Sequence, residues 1–202
     1  LKDMVEKDLI MRGGDASFGG GEVCLLKEFE ECLQIFLDYD YFVRIHTGCI
    51  DYSKVIEEGL KRGKVDLIVS VDSGTEEMHA RIKEVKTYDR VWGNLTNYAK
   101  IQQNRELVKA KYIVIPGVND TKNEINAWLD KCVACNIGYV IQEIESQWFY
   151  SRREHVPQYI YDLFDYTKQK AREMGLTYGE YERAAHMLAE RKEHEQKTVE
   201  QG

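Results

Sequence analysis

The chain has 202 residues, of which 43% are apolar and 31% are charged, as is typical of a globular protein with one buried core. Its formal net charge of −7 argues against the long-range attraction that basic proteins have for nucleic acids and anionic membranes. We therefore expect neither nucleic acid nor membrane as a partner.

Two further features predict a cytoplasmic protein. The sequence contains no apolar run of about 18 residues that could span a bilayer, and no secretory signal is visible at the N-terminus. The five cysteines lack the dense spacing of a secreted disulfide framework, which favours reduced thiols.

Segments with strand-like and helix-like patterns alternate along the chain. We predict strands over 16–18, 42–45, 65–72, 111–117 and 139–144, and a short extended piece at 176–178. We predict helices over 2–11, 25–37, around Ile56 and Leu60, after Ser73, and over 91–109, 122–136, 158–174 and 180–197. This alternation predicts an α/β protein with a parallel sheet, either an open doubly wound sheet or a whole or partial (β/α) barrel.

The start and the end of the helices carry their own signals. Ser53 can cap the helix around Ile56, and the segments Ser73–Glu76 and Thr121–Glu124 have the spacing of capping boxes. The last predicted helix, 180–197, is highly charged and has few large apolar residues, so we expect it to be a solvated or loosely docked tail. We accordingly predict one domain over 1–178 and a charged helical tail over 179–202.

In parallel α/β folds, binding and catalytic groups lie at the carboxyl ends of the strands. This rule selects five short segments: Gly19–Glu22, His46–Thr47, Ser70–Asp72, Pro116–Asp120 and Glu143–Glu145.

The glycine corner formed by Gly19, Gly20 and Gly21 is followed by Glu22. Glycines let backbone groups approach a ligand closely, and an ionised carboxylate accepts hydrogen bonds from a cationic group such as an amine. The corner is equally compatible with a tight turn in which Glu22 stabilises a helix N-terminus. It matches neither the dinucleotide-binding fingerprint nor the phosphate-binding P-loop.

Ser70 and Asp72 share one face of their strand, where they are candidates to bind ribose hydroxyls or, alternatively, to cap the next helix. The segment Ile115–Gly117 can expose backbone groups to a flat heterocycle, or it can be only a turn. His46 with Glu143 or Glu145 could form an acid–base pair, although a histidine at a strand end is more often structural.

Three segments together resemble the radical S-adenosylmethionine (radical SAM) superfamily: "FGGGEV", "LIVSVDSGTEEMHARIK" and "KYIVIPGVNDTKNEI". The resemblance covers roughly residues 5 to 178 and implies a partial (β/α)6 TIM-type barrel. It implies that Gly20, Gly21 and Glu22 bind the amino group of S-adenosylmethionine, and that Arg81 binds its carboxylate. It also implies that Ser70 and Asp72 bind the ribose, with Ile115 and Gly117 beside the adenine.

The sequence departs from the superfamily in three places. Ile113 and Asp120 replace a glycine and a glutamate of the adenine-side pattern. The Cys-x3-Cys-x2-Cys loop that binds the [4Fe-4S] cluster is absent, and Cys132 and Cys135 are better explained as packing residues of a helix. Because the chain begins at Leu1, we expect it to start after the first strand and the cluster loop, with the cluster cysteines upstream.

The resemblance implies a function for the parent protein. It would use a [4Fe-4S] cluster to cleave S-adenosylmethionine to a 5'-deoxyadenosyl radical, acting on an unknown small-molecule or peptide substrate, with flavodoxin or ferredoxin as electron donor. This chain alone is expected to be inactive. The alternatives are a non-catalytic binding or scaffold protein with the same barrel, and an unrelated (β/α) barrel enzyme.

Lys111 is expected at the start of its strand, facing away from the chemistry.

Overall fold

The computed structural model describes residues 2–7, 9, 11–152 and 156–200. Within these residues six strands form one sheet, and every neighbouring pair is parallel. In chain order and in spatial order the strands are β1 (Gly14–Phe18), β2 (Tyr41–Thr47), β3 (Val65–Ser70), β4 (Val108–Val114), β5 (Tyr139–Ile144) and β6 (Thr177–Glu180). β1 and β6 do not pair with each other, so the barrel is open, which confirms the predicted partial barrel.

Helices lie between successive strands, and one more helix lies at each end of the described chain. They are α1 (Lys2–Glu6), α2 (Phe29–Asp38), α3 (Lys54–Lys61), α4 (Glu76–Lys83), α5 (Tyr88–Ile101), α6 (Lys122–Ala134), α7 (Ser146–Arg152), α8 (Gln158–Glu173) and α9 (Glu182–Glu200). None of the described helices is both long and apolar enough to cross a membrane.

The two faces of the sheet differ because side chains alternate along each strand. On the convex face, strand residues such as Val43, Ile45, Leu67 and Val69 pack with the helices into one apolar core. The residues between them point to the concave face, which in a barrel is the lumen. The lumen-facing positions are largely polar: Arg44 and His46 on β2, Asp66 and Ser70 on β3, Lys109 and Lys111 on β4, and Glu143 on β5.

The predictions were least accurate between β3 and β4. The helix predicted over 91–109 is α5, which ends at Ile101, and the strand predicted over 111–117 begins at Val108 and ends at Val114. The helix ends where the backbone of Gln102 becomes extended (ψ 140°), and the Gln102 side chain accepts a hydrogen bond from the N–H of Val108, the first residue of the strand. The shift moves Lys111 from the predicted strand start to the middle of β4.

The starts of α2 and α4 also differ from the predictions. A 3-10 turn, Val23–Leu25, precedes α2, so the helix predicted from residue 25 begins at Phe29. The capping residue of α4 is Thr75 and not Ser73, because the Thr75 hydroxyl accepts from the Met78 N–H. The predicted caps Ser53 and Thr121 are confirmed.

The C-terminal segment packs more closely than predicted. Ala184 and Met187 in the first half of α9 are buried in the common core, so this part of the helix is docked on the barrel. β6 spans the predicted domain boundary between residues 178 and 179. Cys132 and Cys135 are buried on or directly after α6, which confirms that they are packing residues.

Candidate functional site at the carboxyl ends of the strands

Glu22, which follows the glycine corner after β1, joins the ends of β1 and β2. Its carboxylate accepts hydrogen bonds from the Thr47 hydroxyl (2.5 Å) and from the Gly48 N–H (2.6 Å). It also accepts from the Cys24 N–H at 3.4 Å, which caps the 3-10 turn. Glu22 therefore does stabilise the N-terminus of a helical turn, which was one of its two predicted roles. An ionised carboxylate has about four acceptor positions, so one remains for a ligand.

Gly20 and Gly21 expose backbone groups at this corner. Their φ angles are 90° and 132°, a region that favours glycine. Nothing lies within 4 Å of the position of an added Cβ at either residue, so backbone conformation rather than crowding selects glycine. In the described part of the chain neither residue makes a backbone hydrogen bond. Their polar groups are therefore accessible to a ligand.

Asp72, just beyond β3, is a buried carboxylate with partners on both sides. Its backbone is left-handed (φ 59°), which aspartate tolerates better than most residues. One carboxylate oxygen accepts from the Ile113 N–H at 2.8 Å, and the other accepts from Lys83 at 2.5 Å. Ser70 lies two residues earlier on the lumen face and makes no side-chain hydrogen bond within the described residues.

Arg81 is not brought to this group of residues. Its side chain lies on the exposed part of α4, and among the described residues it makes no ion pair. The cation that reaches the end of β3 is Lys83, two residues further along the same helix, through its contact with Asp72. Sequence reasoning missed Lys83 because only the docking of α4 decides which of its basic residues faces the strand end.

The loop after β4 is organised by Asn119, a buried residue of the predicted strand-end segment Pro116–Asp120 to which the sequence analysis gave no role of its own. Its side-chain N–H groups donate to the carbonyls of Asp72 and Ile113, both at 2.9 Å. Its side-chain oxygen accepts from the Ile115 N–H at 2.6 Å. Asn119 therefore joins the ends of β3 and β4, and its position in a Pro-Gly turn segment was the available signal.

Gly117 lies at the exposed tip of the same loop with φ 83°. Its N–H donates to the Asp120 carboxylate at 2.7 Å, so Asp120 closes the turn. Ile115 is half-buried beside it. The structure thus brings the segments of Glu22, Asp72 and Ile115 to one edge of the sheet, at the ends of β1, β3 and β4.

The lumen face carries a network of charges below this edge. Asp66 pairs with both Arg44 and Lys109, while the His46 ring lies 3.3 Å from the Tyr181 hydroxyl and contacts neither Glu143 nor Glu145. The acid–base pair considered for an unrelated barrel enzyme is therefore not formed. Burial lowers the pKa of His46, and nearby Lys111 lowers it further.

Glu143 on β5 is a fully buried carboxylate that contacts the start of α9. One of its oxygens accepts from the N–H groups of Ile144 and Ala184, and the other lies 3.5 Å from Arg183. Burial raises the pKa of Glu143. These contacts dock the first turn of α9 on β5, so Glu143 has a clear structural role.

Metal binding by these residues is not supported. Among the described residues no three His, Cys, Asp or Glu side chains are grouped so that they could hold a metal ion. The donor set at the edge consists of backbone groups, hydroxyls and carboxylates that are already hydrogen-bonded. Such a set suits a polar organic ligand and does not fit an iron–sulfur cluster, which requires thiolates.

The protein is an open parallel (β/α)6 barrel in which polar groups line the edge formed by the carboxyl ends of the strands. Neither a family model nor a curated protein matches the sequence. Among solved structures, SuiB from Streptococcus suis matches with a TM-score of 0.65 and 14% identity, covering 83% of this chain and 39% of SuiB.

Two other solved structures have a similar fold. A domain of pyruvate-formate lyase-activating enzyme from Bacteroides vulgatus matches with a TM-score of 0.59 and 15% identity, covering 84% of this chain and 100% of that domain. TYW1 with a lysine-pyruvate adduct matches with a TM-score of 0.56 and 14% identity, covering 77% of this chain and 50% of TYW1. The chain has the fold of radical SAM enzymes, and it spans about two fifths of the length of SuiB.

Proposed function

We propose that this chain is the larger part of a radical SAM core domain and that its strand-end edge binds S-adenosylmethionine. The observation that carries the proposal is the order of the candidate residues along the sheet. The glycine corner, the Ser70–Asp72 segment and the Ile115–Gly117 loop lie at the ends of β1, β3 and β4, the order that the resemblance implies. One of the matched structures is SuiB bound to S-adenosylmethionine.

In this proposal each segment holds one part of the ligand. The free backbone groups of Gly20 and Gly21 and the remaining acceptor position of Glu22 bind the amino group. Ser70 and Asp72 bind the ribose, and Ile115 and Gly117 contact the adenine. A basic residue of α4 binds the carboxylate: the sequence favours Arg81, and the contact with Asp72 makes Lys83 a second candidate.

The [4Fe-4S] cluster requires cysteines that this sequence does not contain in the necessary spacing. We place these ligands in a segment upstream of Leu1, and the edge of β1 that has no partner strand among the described residues is where a preceding strand would join the sheet. With both groups bound, S-adenosylmethionine and the cluster would supply a 5'-deoxyadenosyl radical. The proposal also retains a small-molecule or peptide substrate, a flavodoxin or ferredoxin electron donor and a cytoplasmic location.

The charge of Glu22 can be tested separately from its structural contacts. In the protein extended upstream, we expect Glu22→Gln to weaken S-adenosylmethionine binding about tenfold or more, because a charge-assisted hydrogen bond to the amine is lost. The amide can still accept from Gly48 and can donate to the Thr47 hydroxyl, so thermal stability should change little. Anaerobic titration calorimetry measures the affinity, and thermal melting measures the stability.

Two variants complete the test. Glu28→Gln makes the same charge change on an exposed side chain that caps nothing, and it should bind like the unmodified protein. Glu22→Ala removes the contacts to Thr47 and Gly48 as well, so it should lose stability in addition to affinity. Unchanged affinity in both Glu22 variants would contradict the assignment.

A non-catalytic protein with the same barrel is the second candidate, because the sequence itself lacks the cluster cysteines. The coding sequence immediately upstream separates the two. A three-cysteine loop there, with 5'-deoxyadenosine formed after anaerobic reconstitution with iron and sulfide, supports the enzyme. An in-frame start codon near Leu1 supports the non-catalytic form.

A further inference from the structure

Lys111 lies in the middle of the concave face of the sheet. The strand register places it between Ser70 on β3 and Ile141 on β5. It is only 8% exposed, and its ammonium group lies 4.8 Å from the centre of the Tyr181 ring. Tyr181 in turn contacts His46 on β2, so the ammonium faces the lumen in its carboxyl-terminal half.

The two carboxylates nearest Lys111 contact other groups and form no ion pair with it. Asp72 is held by Lys83 and by the Ile113 N–H. One oxygen of Glu143 accepts from the backbone N–H groups of Ile144 and Ala184, and the other lies 3.5 Å from Arg183 without a hydrogen bond among the described residues. In the part of the chain that the structure describes, the side-chain ammonium of Lys111 makes no ion pair and no hydrogen bond, and its one close partner is the Tyr181 ring. A buried ammonium is stable only when it is paired or solvated, so water or an anion from outside the chain has to complete its hydrogen bonds.

Lys109 provides an internal comparison. It lies two residues earlier on the same strand and the same face, and it pairs with Asp66. Asp66 also binds Arg44, so this cation is part of a closed network within the protein. Of the two lysines on the lumen face of β4, Lys109 has an ion-pair partner among the described residues and Lys111 has none.

We infer that Lys111 binds an anionic group of the substrate, a carboxylate or a phosphate, in the lumen of the barrel. Placing the substrate in the lumen depends on the proposed function, whereas anion binding by Lys111 depends only on the contacts described above. The aromatic ring of Tyr181 holds the ammonium from one side through a cation–π contact and leaves its other N–H groups for the anion.

The surroundings of Lys111 favour a ligand of this charge. Burial lowers the pKa of Lys111, and Arg183 lowers it further, while Asp72, Glu143 and Glu182 raise it. The carboxylates therefore compensate the ammonium only from a distance. A bound oxyanion would stabilise the charged form directly by a hydrogen bond of about twice the strength of a neutral one.

Protection from acetylation tests the inference on the chain as it exists. At pH 8 in an amine-free, phosphate-free buffer, trace acetylation followed by peptide mass spectrometry gives the labelling rate of each lysine. Inorganic phosphate and malonate are the two probes. We expect at least one of them to slow the labelling of Lys111 about fivefold or more, while the rates of Lys122 and Lys109 change less than twofold. The more protective probe identifies the class of anion.

Calorimetry on variants gives the second measurement. Lys111→Met should lower the affinity for the protective anion about tenfold or more, and Lys111→Arg should retain most of the binding. Lys109→Met removes the same charge from the same face but leaves Asp66 paired with Arg44, and it should change the affinity less than twofold. Thermal melts establish that each variant is folded.

Three results would overturn the inference: equal protection of all lysines, no protection of Lys111 by either probe, or equal losses in the Lys111→Met and Lys109→Met variants. None of these experiments includes S-adenosylmethionine or a cluster. Failure of the anion site therefore leaves the proposed cofactor site untouched, and failure of the Glu22 experiment leaves the anion site untouched.

Discussion

Replacing Asn119 by alanine is expected to lower the free energy of unfolding by about 3 kcal/mol or more, since each buried polar group left without a partner costs about 1–3 kcal/mol. The substitution removes two donors and one acceptor at once. The carbonyls of Asp72 and Ile113 and the N–H of Ile115 would all lose their partner. Urea unfolding followed by circular dichroism measures the loss.

The same substitution should also disturb the candidate site. Asn119 joins the strand ends that carry Asp72 and Ile115, so the Asn119→Ala protein should bind S-adenosylmethionine more weakly under conditions in which it is still folded. Asn123→Ala is the matched control, because Asn123 is exposed near the start of α6 and has no side-chain hydrogen bond within the described residues. Its effect should lie within about 0.5 kcal/mol. Equal effects of the two substitutions would refute the role given to Asn119.

Replacing Gly74 by alanine is expected to destabilise the protein by about 3 kcal/mol or more, at or above the upper end of the usual cost of overpacking. A Cβ at Gly74 would lie 2.4 Å from the backbone nitrogen of Trp128 and 2.5 Å from the carbonyl oxygen of Glu124. These are backbone atoms of α6 and cannot rotate away. The loop after β3 is also bound to α6, because the Gly74 N–H donates to the Glu124 carboxylate.

Gly93 in α5 gives a control of opposite sign. It is exposed in a helix interior, and nothing lies within 4 Å of an added Cβ. Alanine there should stabilise the protein by about 0.5–1 kcal/mol, because glycine is the poorer helix former. Thermal or urea unfolding of both variants measures the two changes in stability. A Gly74→Ala protein as stable as the unmodified one would show that α6 does not pack against this loop as described.

The strand-end rule predicted most of the candidate site from the sequence. Buried runs such as 65–72 and 139–144 are apolar enough to identify a parallel sheet, and the polar residues that follow each run were thereby assigned to one edge. The glycine corner, Asp72 and Ile115 lie at that edge in the structure. Their ligand remains a prediction, because the comparisons establish the fold alone.

Residues whose role depends on packing between elements could not be predicted. Lys83 rather than Arg81 reaches Asp72, since the docking angle of α4 selects one face of that helix. Asn119 acts on β3 from a distance of 47 residues along the chain. The docking of α9 depends on Glu143 and on Ala184 and Met187, which are too few apolar residues to be recognised as a buried face.

Lys111 illustrates the difference between what the sequence determines and what only the tertiary structure decides. By itself the sequence determined the alternation of strands and helices, the parallel sheet and the polar edge, because hydrophobic period and strand-end chemistry are local properties. Only the tertiary structure decided that β4 begins at Val108, and a strand starting three residues earlier carries Lys111 into the middle of the lumen. Whether a charge is paired depends on neighbours from other strands, and the sequence does not state those distances.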